Sequence, residues 1–171
     1  MFQEISYKEL SLNPITAFDE DWMLLSAGTR ADGYNAMTVS WGNLGCLWSE
    51  PTAISYVRPQ RYTKKFMDTE DIYALSWFGK DMRKELAVLG TKSGRDGDKI
   101  SEAGLTPVFS DGTVYFAEAK LVLICRKLYR APILEENFTD VKIVEEHYPE
   151  KDFHDLYVGK IIKVLKQSIH A

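Results

Sequence analysis

The feature that most limits the fold of this chain is a series of short strand-like segments joined by turns, without a regular alternation with helices. The run 22–28 predicts a buried strand, the Asp32-Gly33 pair after it indicates a hairpin turn, and 34–41 predicts the return strand. Further strands are predicted over 52–57, 71–78, 114–116, 119–129 and 157–165. We expect 114–116 and 119–129 to pair as a second hairpin. Strands this numerous without βα alternation favour an antiparallel barrel over a doubly wound sheet.

Short helices are predicted between some of these strands. The segment 61–69 predicts one helix, and 80–89 predicts a second because its apolar side chains share one face. Gly90 stands where the C-cap of the second helix is expected, and Asp98 should cap a third, very short helix. The predicted fold class is therefore mainly β, an antiparallel barrel with a few short helices.

Composition restricts the classes of function. The 171 residues suffice for a single domain over 1–171, with no room for a separate dinucleotide-binding domain. The net charge of −4 argues against nucleic acid as a partner. Cys46 and Cys125 are far apart in the sequence. The longest apolar run, 121–125, is too short for a membrane span. The N-terminus shows no signal pattern. We therefore expect a cytoplasmic protein without a disulfide framework or membrane contact.

Motifs that would specify other chemistry are missing or incomplete. No G-x-G-x-x-G or P-loop pattern occurs. The segment Thr38-Val-Ser-Trp-Gly42 resembles a nucleophile elbow, but threonine replaces the first glycine, which disfavours a hydrolase. His147 and His154 lie among acidic residues, and Pro149 breaks any helix that could align them. A solvated acidic surface is the better interpretation there, and no metal site is predicted.

One segment combines several features of a phosphate site. Across 58–65 there are four positive charges and no negative one, in a chain whose net charge is negative. The cluster lies where a strand ends and a helix begins, so the Thr63 hydroxyl, the Arg61 guanidinium and the free N–H groups of the helix can converge. The alternative is a solvated basic turn, and the position at the strand–helix junction leaves the two interpretations evenly matched.

Two further segments could contact a ligand. The loop 91–99 is rich in glycine, which lets the backbone approach a ligand closely, and it contains three cations beside two aspartates. By itself it is more typical of a solvated connection. Alternation along the strand 34–41 puts one set of side chains on one face, Asn35, Met37, Val39 and Trp41, and the other set on the opposite face, Tyr34, Ala36, Thr38 and Ser40. Its edge could recognise a flat heterocycle with imide-like donors and acceptors.

These segments together resemble a known pattern. The stretches that carry it are Asn35-Ala-Met-Thr-Val-Ser-Trp-Gly42, Tyr56-Val-Arg-Pro-Gln-Arg-Tyr-Thr63, Lys92-Ser-Gly-Arg-Asp-Gly-Asp-Lys99 and His154-Asp-Leu-Tyr-Val-Gly159. In this order they resemble the flavoredoxin-like branch of the flavin reductase family, over nearly the whole chain. One departure is Lys160, where the family pattern has an acidic residue.

The resemblance implies an FMN-binding split β-barrel of Greek-key type, usually a homodimer with the flavin near the subunit interface. By position, the residues along the isoalloxazine ring would be Asn35, Ala36, Met37, Thr38, Val39, Ser40 and Trp41. Those that hold the ribityl phosphate would be Arg58, Pro59, Arg61, Tyr62 and Thr63. Those that close over the flavin would be Ser93, Gly94, Arg95 and Lys99.

The activity that the resemblance implies is hydride transfer from NAD(P)H to FMN, followed by electron transfer to a further acceptor, which can be a redox partner protein. Because the cofactor performs the chemistry, no catalytic side chain is assigned, and His154 and Tyr157 match the family without a defined role. Two alternatives remain open: an electron carrier with tightly bound FMN, and a non-enzymatic module that binds flavin or haem.

Overall fold

A computed structural model of the protein describes residues 1–168. The strands are β1 Phe2–Ile5, β2 Met23–Thr29, β3 Gly33–Val39, β4 Gly42–Leu47, β5 Glu50–Val57, β6 Ile72–Trp77, β7 Pro107–Ser110, β8 Thr113–Phe116, β9 Leu121–Pro132 and β10 Asp155–Gln167. The α-helices are α1 Pro14–Thr16, α2 Thr63–Thr69, α3 Arg83–Thr91, α4 Lys99–Glu102 and α5 Val141–His147. The single domain over 1–171 stays a prediction, and its last three residues lie outside the described part.

Most of the strands form one antiparallel sheet in the order β3-β2-β6-β9-β10-β5-β4, with β1 added to β10, and β7 and β8 form a separate pair. The mainly-β antiparallel class predicted from the sequence is confirmed. Within residues 1–168 the two end strands, β3 and β4, do not pair with each other. The barrel is therefore open on that side, which leaves the outer edge of β3 available.

The sheet separates two apolar cores because successive side chains of a strand point to opposite faces. In β2, Met23 and Leu25 belong to one core, whereas Leu24 belongs to the other. The first core also contains Phe66 of α2. The second is covered by α3, α4 and the β7–β8 pair, through residues such as Leu86. Both layers therefore depend on the period-two pattern that the sequence shows.

Several details differ from the sequence-based predictions, and β1, β7, α1 and α5 have no predicted counterpart. Segment 113–116 pairs with β7 around the two-residue turn Asp111–Gly112, and not with β9. Strand β4 was not predicted, because its two glycines weaken the strand pattern. Its turn to β5 also lacks the usual glycine signal, since Trp48 and Ser49 adopt positive φ there. Gly90 lies inside α3, which continues to Thr91, so it is not the C-cap.

We expect Gly159→Ala to destabilise the fold by about 1–3 kcal/mol, because overpacking a core forces side chains or backbone to shift. Gly159 of β10 lies against the fully buried ring of Tyr73, and an added Cβ would be 2.3 Å from the Tyr73 hydroxyl oxygen. Urea denaturation measures the change in the free energy of unfolding.

Gly45→Ala provides the matched control, since a Cβ at Gly45 in β4 meets no atom within 4 Å. Its effect should stay within about 0.5 kcal/mol, as for most surface substitutions. Equal destabilisation by the two variants would show that the contact with Tyr73 is not the cause.

Candidate functional site

A cleft lies where the end of β3 meets the turn between β5 and α2. It contains two adjoining pockets of about 220 Å³ each, which share Met37 and Arg61. The first, here called the strand pocket, is lined by Met37, Thr38, Val39, Ser40, Trp41, Tyr56, Arg58, Arg61 and His154. The second, here called the basic pocket, is lined by Asn35, Met37, Gln60, Arg61, Tyr62, Thr63, Thr91, Lys92, Ser93, Gly94, Arg95 and Lys99.

The basic pocket holds a buried ammonium group. Lys99 is only 4% exposed, and its Nζ donates to the carbonyl oxygens of Leu89 at 2.8 Å and Lys92 at 3.1 Å. Burial, together with the positive charge of Arg61, lowers the pKa of Lys99 to about 8. An ammonium group has three N–H donors, so one remains for a ligand.

Arg61 brings a second cation to the same pocket. Its Nη1 donates to the carbonyl oxygen of Gly90 at 2.6 Å. Burial and the nearby charge of Arg58 lower the pKa of Arg61. Among the described residues, neither Arg61 nor Lys99 forms a salt bridge. Two partly desolvated cations without a carboxylate partner make an environment in which a bound anion would be stabilised.

A hydroxyl and a close backbone approach complete the basic pocket. Asn35 Nδ2 donates to Thr63 Oγ1 at 2.9 Å, so the Thr63 hydroxyl proton is left for another acceptor. Gly94 brings the loop after α3 against the same asparagine, since a Cβ there would be 2.4 Å from Asn35 Oδ1. Any side chain at position 94 would therefore displace the loop or the strand.

The strand pocket has a different character. Arg58 is neutralised by Asp152, with 2.6 Å between Nη1 and Oδ2, and it donates to the carbonyl oxygen of His147. His154 is buried, and its Nδ1 lies 2.9 Å from the hydroxyl of Tyr148. Burial, with a further contribution from the charge of Arg58, lowers the pKa of His154 to about 4. The imidazole is therefore neutral at physiological pH.

The structure brings most of the predicted site residues together. The cleft contains all of them except Ala36 and Pro59. Ala36, predicted to lie along the ring, is instead fully buried in the second core, and Pro59 is exposed on the turn. Arg58 lines the strand pocket, on the side away from Lys99.

Two other predicted features differ in detail. Thr38 lines the strand pocket, but its own Oγ1 donates to the carbonyl oxygen of Leu86 in α3. The N–H groups of Lys64 and Lys65 bond to the carbonyl oxygens of Arg61 and Tyr62. The first turn of α2 therefore keeps fewer free donors for an anion than its position at the start of a helix indicates.

Sequence reasoning missed Tyr56 as a wall of the cleft and placed His154 on a solvated acidic surface, whereas His154 is buried and lines the strand pocket. Tyr56 lies in the motif that ends at Thr63, so its spacing was available as a signal. His154 follows the acid-rich segment, and only the pairing of β10 with β5 brings it beside Arg58. Lys160 pairs with Glu50 Oε1 at 2.8 Å and does not line the cleft.

Residues 1–168 contain no group of three or more His, Cys, Asp or Glu side chains arranged to hold a metal ion. No helix in that part of the chain combines the length and the apolar character needed to span a bilayer.

The fold and the cleft together define an open antiparallel barrel with a pocket that contains two cations beside a strand edge. The sequence model described as "Flavin reductase like domain" matches residues 17–169. The chain therefore belongs to the flavin reductase-like family. None of the curated proteins matches the chain in sequence.

Solved structures support the same fold at low sequence identity. Flavoredoxin of Desulfovibrio vulgaris superposes with a TM-score of 0.68 at 18% identity, over 97% of this chain and 78% of the other. The FMN-binding domain of a flavin reductase-like enzyme from Shewanella baltica gives 0.68 at 12%, over 97% and 77%. An NADH:FAD oxidoreductase of Streptomyces globisporus, in complex with NAD and FAD fragments, gives 0.64 at 14%, over 86% and 74%. The expected split barrel is confirmed.

We expect sulfate to bind in the basic pocket with an affinity that falls above pH 8. Sulfate stays a dianion through neutral and alkaline pH, so any change in its affinity reflects ionisation of the protein. An anion prefers the protonated Lys99, and the free protein loses this proton as the pH rises through about 8. The dissociation constant should then rise by up to about tenfold per pH unit. Isothermal titration calorimetry between pH 6.5 and 9.5 measures it.

Lys99→Met should weaken sulfate binding at pH 7 and remove this pH dependence. Lys92→Met is the control, because Lys92 lines the same pocket but is exposed and paired with Glu102. That variant should keep the dependence on pH. A Lys99→Met protein whose affinity still fell above pH 8 would contradict the assignment.

Proposed function

We propose that the protein binds FMN in this cleft and acts as an NAD(P)H-dependent flavin oxidoreductase. The observation that carries the proposal is the buried Lys99 beside Arg61, two cations that face a pocket without a carboxylate partner among the described residues. The pocket adjoins a second one along a strand edge. A ligand with a phosphate at one end and a flat polar ring at the other matches this arrangement.

The basic pocket suits the ribityl phosphate. A phosphate monoester carries close to two negative charges at pH 7. Lys99, Arg61 and the Thr63 hydroxyl would supply charge and donors, and Arg95, which lies over the Tyr62 ring with its guanidinium carbon 5.0 Å from the ring centroid, would close the pocket from the loop. Hydrogen bonds to a charged acceptor are stronger than neutral ones, so these donors favour FMN over riboflavin.

The strand pocket suits the isoalloxazine ring. Because β3 ends the sheet order, no strand within residues 1–168 pairs with the main-chain N–H and C=O groups on its outer edge. Residues 38–40 would present such groups to the polar edge of a flavin, where N–H donors stabilise negative charge. The anchoring of Thr38 to α3 holds this edge in place before a ligand arrives.

FMN, when bound, would supply the hydride and electron-transfer chemistry, with NAD(P)H as the reductant and a further molecule or redox partner protein as the acceptor. The chain itself binds and orients the ring, and it excludes water from the buried Lys99. The homodimer with flavin near the interface and the cytoplasmic location belong to the same proposal and are supported by the family resemblance.

A second candidate is an electron carrier that holds FMN tightly and exchanges electrons with proteins. Its support is the structural likeness to two flavoredoxins, the one from Desulfovibrio vulgaris and one from Methanosarcina acetivorans with a TM-score of 0.67 at 18% identity, over 94% of this chain and 76% of that protein. Stopped-flow reduction distinguishes the two functions. Fast reduction by NAD(P)H supports the reductase, and reduction only by a donor protein supports the carrier.

Arg61→Ala should lower the affinity for FMN by about 1.5–3 kcal/mol, because it removes charge-assisted donors from the phosphate. Riboflavin, which lacks the phosphate, should lose little. Lys65→Ala is the control, since Lys65 is exposed in the same basic turn and does not line the cleft. Fluorescence titration of both flavins measures the change, and an equal loss for riboflavin and FMN would refute the phosphate assignment.

The visible spectrum tests the function directly. The purified protein should carry or accept FMN, and addition of NADPH or NADH without oxygen should bleach the flavin absorbance. A protein that is colourless after incubation with FMN and removal of the unbound flavin would overturn the proposal. A haem spectrum instead would favour the haem-binding module.

A further inference from the structure

A cavity of about 300 Å³ opens at one end of the first core and shares no lining residue with the strand pocket or the basic pocket. We call it the end pocket. Its walls come from the N-terminal segment 5–12, the end of β6, the start of β9 and the end of β10. Ligand sites are common in the mouths of β-barrels, and this volume lies at the lower limit of their usual range. The end pocket therefore has room for a small second ligand.

The inner wall of the end pocket is apolar. Five of its side chains belong to the first core or pack against it: Ile5, Leu10, Leu12, Trp77 and Leu121. The Trp77 indole N–H already donates to Asp21 Oδ2 at 3.0 Å, so the indole offers no polar donor to a ligand. The main chain is also paired there, since Lys120 N donates to the carbonyl oxygen of Trp77 at 2.8 Å. This wall suits a hydrocarbon group.

The rim of the end pocket carries the charges. Three charged side chains line it, and all of them are exposed: Glu9, Lys120 and Lys166. Two positive charges and one negative charge leave a net charge of +1 on the rim. A ligand with a single negative group would balance this charge, and the group would stay hydrated at the mouth of the pocket.

Lys166 is the cation most available to a ligand. Of the lysines in β10, Lys160 and Lys163 form ion pairs, whereas Lys166 forms none within residues 1–168. Lys120 pairs with Asp81, with 2.7 Å between Nζ and Oδ2, but the Asp81 side chain is 78% exposed. An exposed pair of this kind contributes little. Lys120 therefore keeps N–H donors for a second carboxylate.

The N-terminal wall is held in place without a ligand. Glu9 Oε2 accepts from the backbone N–H of Ser6 at 2.8 Å, and the Ser6 side chain caps the helical turn 7–9 in return. The strand β1 before it pairs with β10. The carboxylate of Glu9 is thus engaged in the wall itself, and the pocket is formed before a ligand arrives.

We propose that the end pocket binds a fatty carboxylate, which is a monoanion with an unbranched hydrocarbon chain. The chain would lie against Leu12, Trp77 and Leu121, and the carboxylate would lie at the rim beside Lys166 and Lys120. A cationic amphiphile would meet two lysines there. Because the end pocket is separate from the cleft, the inference does not depend on the proposed function.

The first test compares two amphiphiles that have the same chain and opposite charges, octanoate and octylammonium. Isothermal titration calorimetry on the full chain, with and without FMN, measures their affinities. Octanoate should bind at least about fivefold more tightly, because the sign of the interaction with both lysines is reversed in octylammonium. Equal or tighter binding of octylammonium would overturn the proposal.

Chain length tests the apolar wall. From butanoate to octanoate, the affinity should rise about fourfold for each added CH₂ group, as expected for burial of a methylene. An affinity that did not depend on chain length would show that the carboxylate alone is bound and would contradict the proposal.

Variants at the rim locate the carboxylate. Lys166→Met should weaken octanoate binding about two- to fivefold. Lys142→Met is the matched control, because Lys142 is also exposed and does not line the end pocket. Ser11 is exposed on the same rim, so adding Ser11→Lys to Lys166→Met returns a cation and should restore the affinity to within about twofold. Equal affinities of the two Met variants, or no rescue by Ser11→Lys, would place the carboxylate elsewhere.

The basic pocket is another place where a carboxylate could bind, so the cleft is tested in parallel. Arg61→Ala should leave the affinity for octanoate unchanged, since Arg61 does not line the end pocket. Weaker octanoate binding in this variant, or displacement of octanoate by FMN, would assign the carboxylate to the cleft and overturn the inference. A protein that bound octanoate with the expected response to Lys166→Met but did not bind FMN would contradict only the proposed function.

Discussion

The register between β5 and β10 determines where the cleft lies. Val57 pairs with Asp155, so the next residues outward, Arg58 and His154, leave the sheet side by side. A shift of one residue would exchange the two faces of the strand and would separate them. Because β10 also pairs with β9, the same register places the segment between β9 and β10 beside the cleft, where Ile133 and Tyr148 line a cavity that adjoins the strand pocket.

A group of ion pairs reinforces that register. Lys64, which follows Thr63 in α2, lies 2.8 Å from Asp155 and 2.8 Å from Asp68, and the Tyr157 hydroxyl donates to Asp68 at 2.5 Å. Burial by itself would raise the pKa of Asp68. The hydrogen bonds from Lys64 and Tyr157 and the charges of Lys64 and Arg130 outweigh this effect, so the pKa of Asp68 is lowered. Single surface pairs contribute little, but here several of them join α2 to β10. Thr63 and His154 are thereby held on the two sides of one cleft.

Two partly desolvated cations lie close together in the basic pocket, and this arrangement is unfavourable for stability. The chain is acidic overall, yet it buries Lys99 beside Arg61, and the lowered pKa values of both groups reflect that unfavourable environment. A bound anion would relieve it. Local environments of this kind, which lower stability, are common at functional sites.

The sequence by itself determined the features that depend on neighbours along the chain. The hairpin of β2 and β3, the helix after the basic turn and the cap at Asp98 follow from local turn signals, alternation and side-chain chemistry. Most of the candidate site residues were also predicted, because they cluster in three short motifs whose order resembles the family.

Only the tertiary structure decided which distant residues meet. Asn35 contacts Thr63, Arg61 contacts Gly90, and His154 joins the wall with Arg58, in each case across a sequence distance that no local pattern reports. The pairing of β7 with β8 and the presence of β4 belong to the same group. The physical reason is that strand register and the packing of the two cores are collective properties. They are set by how all the apolar side chains fit together, and not by any one segment.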